Sequence, residues 1–172
     1  MDKVQKKQTK KEKESIRSEM VKIVINAGTG RASNLPNFSD KILPQISRDI
    51  ALVSGQKPQT RGAKISIAGF KIRDGQIVGL KVTLRRQKMV DFFEKLIKIA
   101  LPRVHDFRGI SKNSVDESGA LNIGLMEQFV FPEINAEESP FTFPLGINVV
   151  LKTKSRDKAL EIYGSLGVPF KK

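Results

Sequence analysis

The 172 residues contain no cysteine and no tryptophan, and histidine and tyrosine occur once each. Without cysteine, the chain has no disulfide and no thiolate ligand for a metal, which is typical of a protein from a reducing compartment. The one histidine, His105, excludes a metal site built from several imidazoles. No cofactor is therefore expected.

Long apolar runs are also missing. None approaches the roughly eighteen residues needed to span a bilayer, and no segment has the apolar core of a secretory signal. The lysine-rich N-terminus includes Asp2, Glu12 and Glu14, unlike an arginine-rich, acid-poor transit peptide. These patterns predict a cytoplasmic protein with no membrane partner.

Acidic residues are scarce in one central stretch. The chain has a formal charge of +13, and residues 54–88 hold nine cations against one anion, Asp74, whereas residues 89–172 hold eleven of each sign. A charge run is often only a solvated surface, but so concentrated an excess repels itself without a counter-charge nearby. The distribution predicts a polyanionic partner, and nucleic acid and an anionic membrane surface both carry the required charge.

The apolar pattern predicts an α+β fold. Residues 1–18 have no apolar stripe at helical spacing and are interpreted as a flexible basic arm, which either aids solubility or contacts phosphate. Residues 19–172 have the size of a single domain. Strands are predicted at Met20–Ala27, Gln59–Lys64, Ile77–Arg86, Ala120–Leu125 and Leu145–Lys154, and helices at Asp40–Val53, at Met89–Ala100 and after Ser155.

One polar face per strand predicts a two-layer sandwich. Helices would cover one face of a mainly antiparallel sheet and leave the other open. In the first strand, Val21, Ile23 and Ile25 are predicted to face the core. The open face is predicted to carry Lys22, Asn26, Lys81, Thr83 and Arg85.

No arrangement of residues indicates catalysis. His105 is followed by Asp106, but the side chains of sequence neighbours point in different directions. No pattern in the sequence identifies a serine nucleophile for such a pair. The acidic pairs in predicted loops have no partner at a defined spacing, and the turn after the first strand lacks the Gly-Lys-Ser/Thr of a phosphate loop. The chain is therefore predicted not to be an enzyme.

Aromatic residues are nearly absent from the basic strands. Only Phe70 lies within the stretch, where a reader of single-stranded RNA would interleave several stacking side chains. Lysine, threonine, glutamine and asparagine occupy these strands instead. This composition favours recognition of a folded RNA through phosphates, 2′-hydroxyls and shape.

The segment GQKPQTRGAKISIAGFKIRDGQIVGLKVTLR resembles a known family, the fifth protein of the large ribosomal subunit, which binds 5S rRNA. The resemblance continues through FFEKLIKIALPRVHDFRGIS, EQFVFPEI and LGVPF, from about Lys22 to Phe170, and its FPEI and GVPF segments are more like bacterial-type members. It implies an α+β sandwich that is a structural constituent of the large subunit. It also implies that the sheet face docks on 5S rRNA, beside large-subunit rRNA, in the central protuberance.

The resemblance also implies roles for matching positions. It implies that RNA is recognised by Asn26, Gln56, Lys57 and Thr83. The predicted rRNA-binding set also includes Lys22, Arg61, Lys64, Lys81 and Arg85. A loop near the peptidyl-site tRNA would contain Gly69, Phe70, Lys71, Ile72 and Arg73. A contact with a protein of the small-subunit head, across an intersubunit bridge, would involve Asp106, Phe107, Arg108, Ser111 and Lys112.

Two departures from the family pattern stand out. A lysine-rich arm takes the place of the usual N-terminal amphipathic helix, and Asn26-Ala27-Gly28 replaces Asn-Met-Gly, a change expected to alter packing rather than RNA contact. Two other functions are considered: a free-standing RNA chaperone or regulator, and a hydrolase with an undetected site. Specific binding of one RNA, or loss of activity on His105→Ala, would distinguish them.

Overall fold

A five-stranded sheet forms the centre of the fold in the computed structural model, which describes residues 13, 14 and 16–171. The strands lie in the order β2-β3-β1-β5-β4, so the first strand of the chain has the last one as a neighbour. Their bounds are β1 Met20–Gly28, β2 Gln59–Gly62, β3 Ile77–Leu84, β4 Leu121–Leu125 and β5 Leu145–Leu151.

Helices account for much of the rest of the described chain, and the predicted α+β class is confirmed. Residues 13, 14 and 16–19 are helical, and single π-helical turns at Phe38–Ile42 and Leu96–Ala100 adjoin two of the later helices. Those later helices are α1 Leu43–Ser54, α2 Arg86–Lys95 and α3 Arg156–Ser165.

Local chemistry sets the ends of these elements. Gly55 stops α1 in the left-handed conformation, with φ of 63°, which glycine adopts without a steric penalty. Three strands end two or three residues earlier than predicted. At β3 the cause is Arg86, whose φ of 55° breaks the extended run. In β2 the pairing shifts register between Arg61 and Gly62, just before the strand ends.

The predicted basic arm, residues 1–18, lies largely outside the described residues. Within them, residues 13, 14 and 16–18 are helical, and Ile16 is only 5% exposed although the segment has no apolar stripe. Lys13 Nζ lies 3.2 Å from a carboxylate oxygen of Asp91 and 3.2 Å from one of Glu94, both on α2. The pKa of Lys13 is raised above its ordinary value, mostly by its hydrogen bond to Glu94 and next by its hydrogen bond to Asp91. A single isoleucine produces no periodic apolar stripe, so the sequence pattern could not predict that Ile16 is buried.

The chain divides into two compact units, each built from separate segments. The first unit contains the described residues up to Ile23, with Leu84–Ile123 and Asn148 onward, and the second contains Val24–Thr83 and Gly124–Ile147. Whether residues 19–172 behave as the predicted single domain stays a prediction.

Tyr163 on α3 joins the core of the first unit. Its side chain is fully buried, and its hydroxyl lies 3.1 Å from the carbonyl oxygen of Gly119 and 3.0 Å from that of Val149. The same oxygen accepts the backbone N–H of Leu121 at 3.2 Å. Burial raises the pKa of Tyr163 well above its ordinary value. One phenol therefore links a helix to β4 and β5.

Buried polar side chains organise the second unit. Gln128, fully buried, donates from Nε2 to the carbonyl of Phe141 at 2.9 Å and accepts the N–H of Phe143 at 3.0 Å. Asp49 on α1 is also fully buried and accepts from Ser139 Oγ at 2.9 Å. These bonds fix the irregular, proline-containing segment before β5, where few backbone ladder bonds are available.

Candidate nucleic-acid interface

Burial alternates along the second half of β3, as one polar face per strand predicts. Leu80, Val82 and Leu84 are buried, whereas Lys81 and Thr83 between them are half-buried. Successive side chains of a strand point to opposite faces, so the lysine and threonine share one polar face. This face, with its counterparts on the neighbouring strands, is called the open face below.

Asn26 occupies the open face on β1, exposed between the buried Ile25 and Ala27. Space for it comes from β5, since a Cβ built on Gly146 would lie 2.5 Å from Asn26 Oδ1. Glycine at position 146 thus permits the observed position of the amide. At the start of β1 the predicted inward position of Val21 is wrong, because it is 38% exposed and Met20 is buried instead.

The edge strand β2 extends this polar face. Gln59 pairs with Lys81, and Arg61 pairs with Gly79, in antiparallel register. Directly paired residues project from the same face of a sheet, so Gln59 and Arg61 share the face of Lys81. Gln59 was not among the predicted rRNA-binding residues. Its position two residues before Arg61 in a basic strand was the sequence signal that could have identified it. The other predicted rRNA-binding residues lie on β1 (Lys22, half-buried), before or after β2 (Gln56, Lys57 and Lys64, exposed) and after β3 (Arg85, exposed).

A long loop, residues 63–76, connects β2 to β3 and is called the cationic loop. An antiparallel bridge between Ile67 and Ile72 closes its tip, around a single helical turn at Ala68–Phe70. Three large apolar side chains of the loop are exposed: Ile65 at 71%, Phe70 at 70% and Ile67 at 45%. The five residues predicted to lie near tRNA fall together in this tip or directly beside it.

A second loop, residues 103–111, carries most of the predicted intersubunit contact. Asp106, Arg108, Ser111 and Lys112 are exposed and Phe107 is half-buried. The end of the chain holds this loop, because Ile110 donates its N–H to Pro169 O at 2.7 Å and accepts from Lys171 N at 2.9 Å. The loop is thus fixed at the residue that precedes Ser111.

The candidate catalytic pair has little chemical support. His105 Nδ1 lies 2.9 Å from Asp106 Oδ2, but the two side chains are 95% and 79% exposed. Such a pair is fully solvated, and no nucleophile accompanies it in the hydrogen bonds of the described residues. Across the described chain, no group of three or more acidic or histidine side chains could hold a metal. None of the helices in that part is long and apolar enough to cross a membrane.

Comparison with known families matches nearly the whole chain. The profile of ribosomal protein L5 matches residues 15–73, and the profile of the C-terminus of the same ribosomal family matches residues 77–170. Large ribosomal subunit protein uL5 of Chlorobaculum tepidum is 42% identical over 151 residues, which cover 88% of this chain and 80% of the relative. Large ribosomal subunit proteins uL5 of Oceanobacillus iheyensis and uL5c of Gracilaria tenuistipitata are each 44% identical to this chain. Each alignment covers 88% of this chain and 82% of the relative.

The protein is therefore a structural, non-catalytic component of a ribonucleoprotein, located in the large subunit of the cytoplasmic ribosome. The chain belongs to the ribosomal protein L5 family. The resemblance drawn from the sequence motifs and the prediction that the chain is not an enzyme are both confirmed. The hydrolase alternative is accordingly abandoned.

Proposed function

We propose that this chain binds 5S rRNA and large-subunit rRNA in the central protuberance through its open face. The observation that carries the proposal is the shared placement of Asn26, Gln59, Arg61, Lys81 and Thr83 on the polar side of β1, β2 and β3. Amides and a hydroxyl donate to and accept from ribose 2′-hydroxyls and base edges, while the cations contact phosphates.

The charge of residues 54–88 supports the same conclusion. Nine cations against one anion suit a partner with a dense row of phosphates. If about six of these cations neutralise phosphates, binding weakens steeply as salt is added. A plot of the logarithm of the binding constant against the logarithm of the salt concentration should have a slope near −5 for a duplex. A marked salt dependence alone, however, also fits the chaperone alternative.

Two loops extend the proposal beyond 5S rRNA. The tip of the cationic loop, residues 69–73, contacts the peptidyl-site tRNA, and Asp106–Arg108 with Ser111 and Lys112 contact a protein of the small-subunit head. Support comes from their exposure and from the hydrogen bonds that fix each loop near its base. An exposed segment held at its base is suited to present side chains to a partner.

Binding to 5S rRNA and to a length-matched, unrelated structured RNA, titrated across salt, tests the proposal. We expect a preference for 5S rRNA of about a hundredfold at physiological salt, which corresponds to about 2.7 kcal/mol. Equal binding of both RNAs, lost equally with salt, would instead establish a general RNA chaperone.

Asn26→Ala and Gly146→Ala are expected to weaken 5S rRNA binding alike, by about tenfold. The first removes the amide, and the second displaces it, because the new Cβ would meet Asn26 Oδ1 at 2.5 Å. Thr83→Ala removes a neighbouring hydroxyl and should have a similar effect. Asn135→Ala is the control, since it removes an exposed asparagine that accepts only a local bond from Glu137 N.

Fluorescence anisotropy gives the affinities, and urea denaturation checks that each variant is folded. Wild-type affinity in folded Asn26→Ala and Thr83→Ala would remove the open face from the binding surface. Loss of folded structure in either would contradict their placement on an open face, where side chains contribute little to the core.

A further inference from the structure

Gln76 at the end of the cationic loop binds three separate groups. Its Nε2 donates to Ser33 Oγ at 2.8 Å and to Asn34 Oδ1 at 3.1 Å, in the turn after β1. Its Oε1 accepts the backbone N–H of Arg73 at 2.9 Å, within the loop itself. One half-exposed amide therefore ties the loop to a turn more than forty residues away in sequence.

The groups bound by Gln76 are themselves held. Ser33 Oγ donates to the carbonyl of Gly30 at 2.8 Å, and Asn34 Nδ2 donates to that of Phe70 at 3.4 Å. Within the loop, Asp74 N donates to Ser66 Oγ at 2.9 Å. A mostly exposed loop normally samples many conformations, and these bonds restrict that freedom.

An open groove lies between the loop and the turn. Two cations, Lys71 and Arg73, line it together with Asn34 and Ser66. Asp74 is the one acidic residue of the lining, which also contains Gln76. The groove is too open to enclose a small molecule, and an extended chain suits it better.

We propose that this groove binds the sugar–phosphate backbone of an RNA, and that Gln76 is the positioning residue that keeps the groove in shape. The cations would donate to phosphate oxygens, and Asn34, Ser66 and the Asp74 carboxylate would bond to ribose hydroxyls. The inference rests on the proposed function, in which the same loop meets the peptidyl-site tRNA, and it extends the contact to the turn at Ser33 and Asn34.

RNA fits this groove better than an acidic protein segment does. The cationic loop has three cations, Lys64, Lys71 and Arg73, and one anion, and its neutral donors and acceptors match the alternating phosphate and ribose groups of a backbone. A protein partner is the other outcome that crosslinking would reveal.

The first experiment tests the positioning role on the isolated full-length protein. Trypsin cleaves after Lys71 and Arg73 only when the loop opens, so Gln76→Leu should raise the rate of these two cleavages by about tenfold. Gln87→Leu is the matched control, because Gln87 is an exposed glutamine whose Nε2 bonds to Asp91 Oδ1 at 2.9 Å on α2. Mass spectrometry assigns each cut.

Ser33→Ala removes one acceptor of Gln76 and should raise the same two cleavage rates by about threefold, in a variant with less risk of misfolding. Wild-type cleavage rates in both folded variants would overturn the positioning role.

The second experiment tests RNA binding at the groove, using large subunits reconstituted with each variant. Asn34→Leu and Lys71→Gln should each speed tRNA release from the peptidyl site by about fivefold, while Asn34→Leu leaves 5S rRNA affinity unchanged. Unchanged tRNA release, or photocrosslinks from position 34 to protein rather than RNA, would overturn the groove as an RNA site. Loss of 5S rRNA preference in the wild-type protein would overturn the proposed open-face function instead.

Discussion

Replacing Tyr163 by phenylalanine is expected to lower the free energy of unfolding by about 3 kcal/mol. The ring still fills its buried position, but the N–H of Leu121 loses its acceptor, and the carbonyls of Gly119 and Val149 lose the single hydroxyl proton that they share. Desolvated groups left without partners account for the loss. Urea denaturation measures it.

Ser165→Ala is the matched control for this substitution. It also removes a hydroxyl from α3, but one that is exposed and bonded only to Ile162 O, so we expect a change within about 0.5 kcal/mol. Equal stability of Tyr163→Phe and wild-type protein would contradict the linking role of the phenol.

The same residue makes stability depend on alkaline pH. The pKa of Tyr163 is raised above its ordinary 10.0 by burial, so the folded state favours the neutral phenol. This contribution is fully present below about pH 10 and is lost as the pH rises toward the folded-state pKa. Tyr163→Phe should therefore lose less stability than wild type between about pH 9 and pH 11. Because the chain has one tyrosine and no tryptophan, its ultraviolet titration reports this group alone.

Gly109→Ala is expected to lower the free energy of unfolding by about 2 kcal/mol. Gly109 has φ of 94°, and an added Cβ would lie 2.9 Å from Lys171 N and 3.0 Å from the carbonyl carbon of Phe170. Both atoms belong to the backbone and cannot rotate away, so the terminal segment must separate from Ile110. Chemical denaturation gives the value.

Gly164→Ala provides the control for a glycine substitution. Nothing lies within 4 Å of a Cβ at that helical position, so the change should be neutral or stabilise by up to about 1 kcal/mol. Subunit association adds a functional readout, because residues 106–112 are proposed to reach the small-subunit head. Normal association despite a displaced terminal segment would count against that proposed contact.

Periodic features of the fold could be predicted from the sequence. The alternation of β3 and the stop of α1 at Gly55 follow from local rules, in which apolar side chains repeat at the period of their element and glycine takes the left-handed turn. The basic stretch likewise indicated nucleic acid, because charge distribution along the chain is a property of the sequence itself.

Long-range polar contacts could not be predicted in this way. Gln128 and Asp49 are buried, yet glutamine and aspartate are usually exposed, and their partners lie too far along the chain for any pattern to connect them. Gln76 in the lining of the groove was missed for the same reason, because its role depends on loop contacts that arise only when the chain has folded.

The strand order has a consequence for how the protein is made. β1 lies beside β5 in the sheet, although β5 is synthesised more than a hundred residues later. Until then, one edge of β1 has no neighbour in the growing chain and is exposed to aggregation. Asn26 likewise acquires its setting beside Gly146 only after residue 146 has been made. The RNA contact proposed for Asn26 therefore depends on a part of the chain that is synthesised long after Asn26 itself.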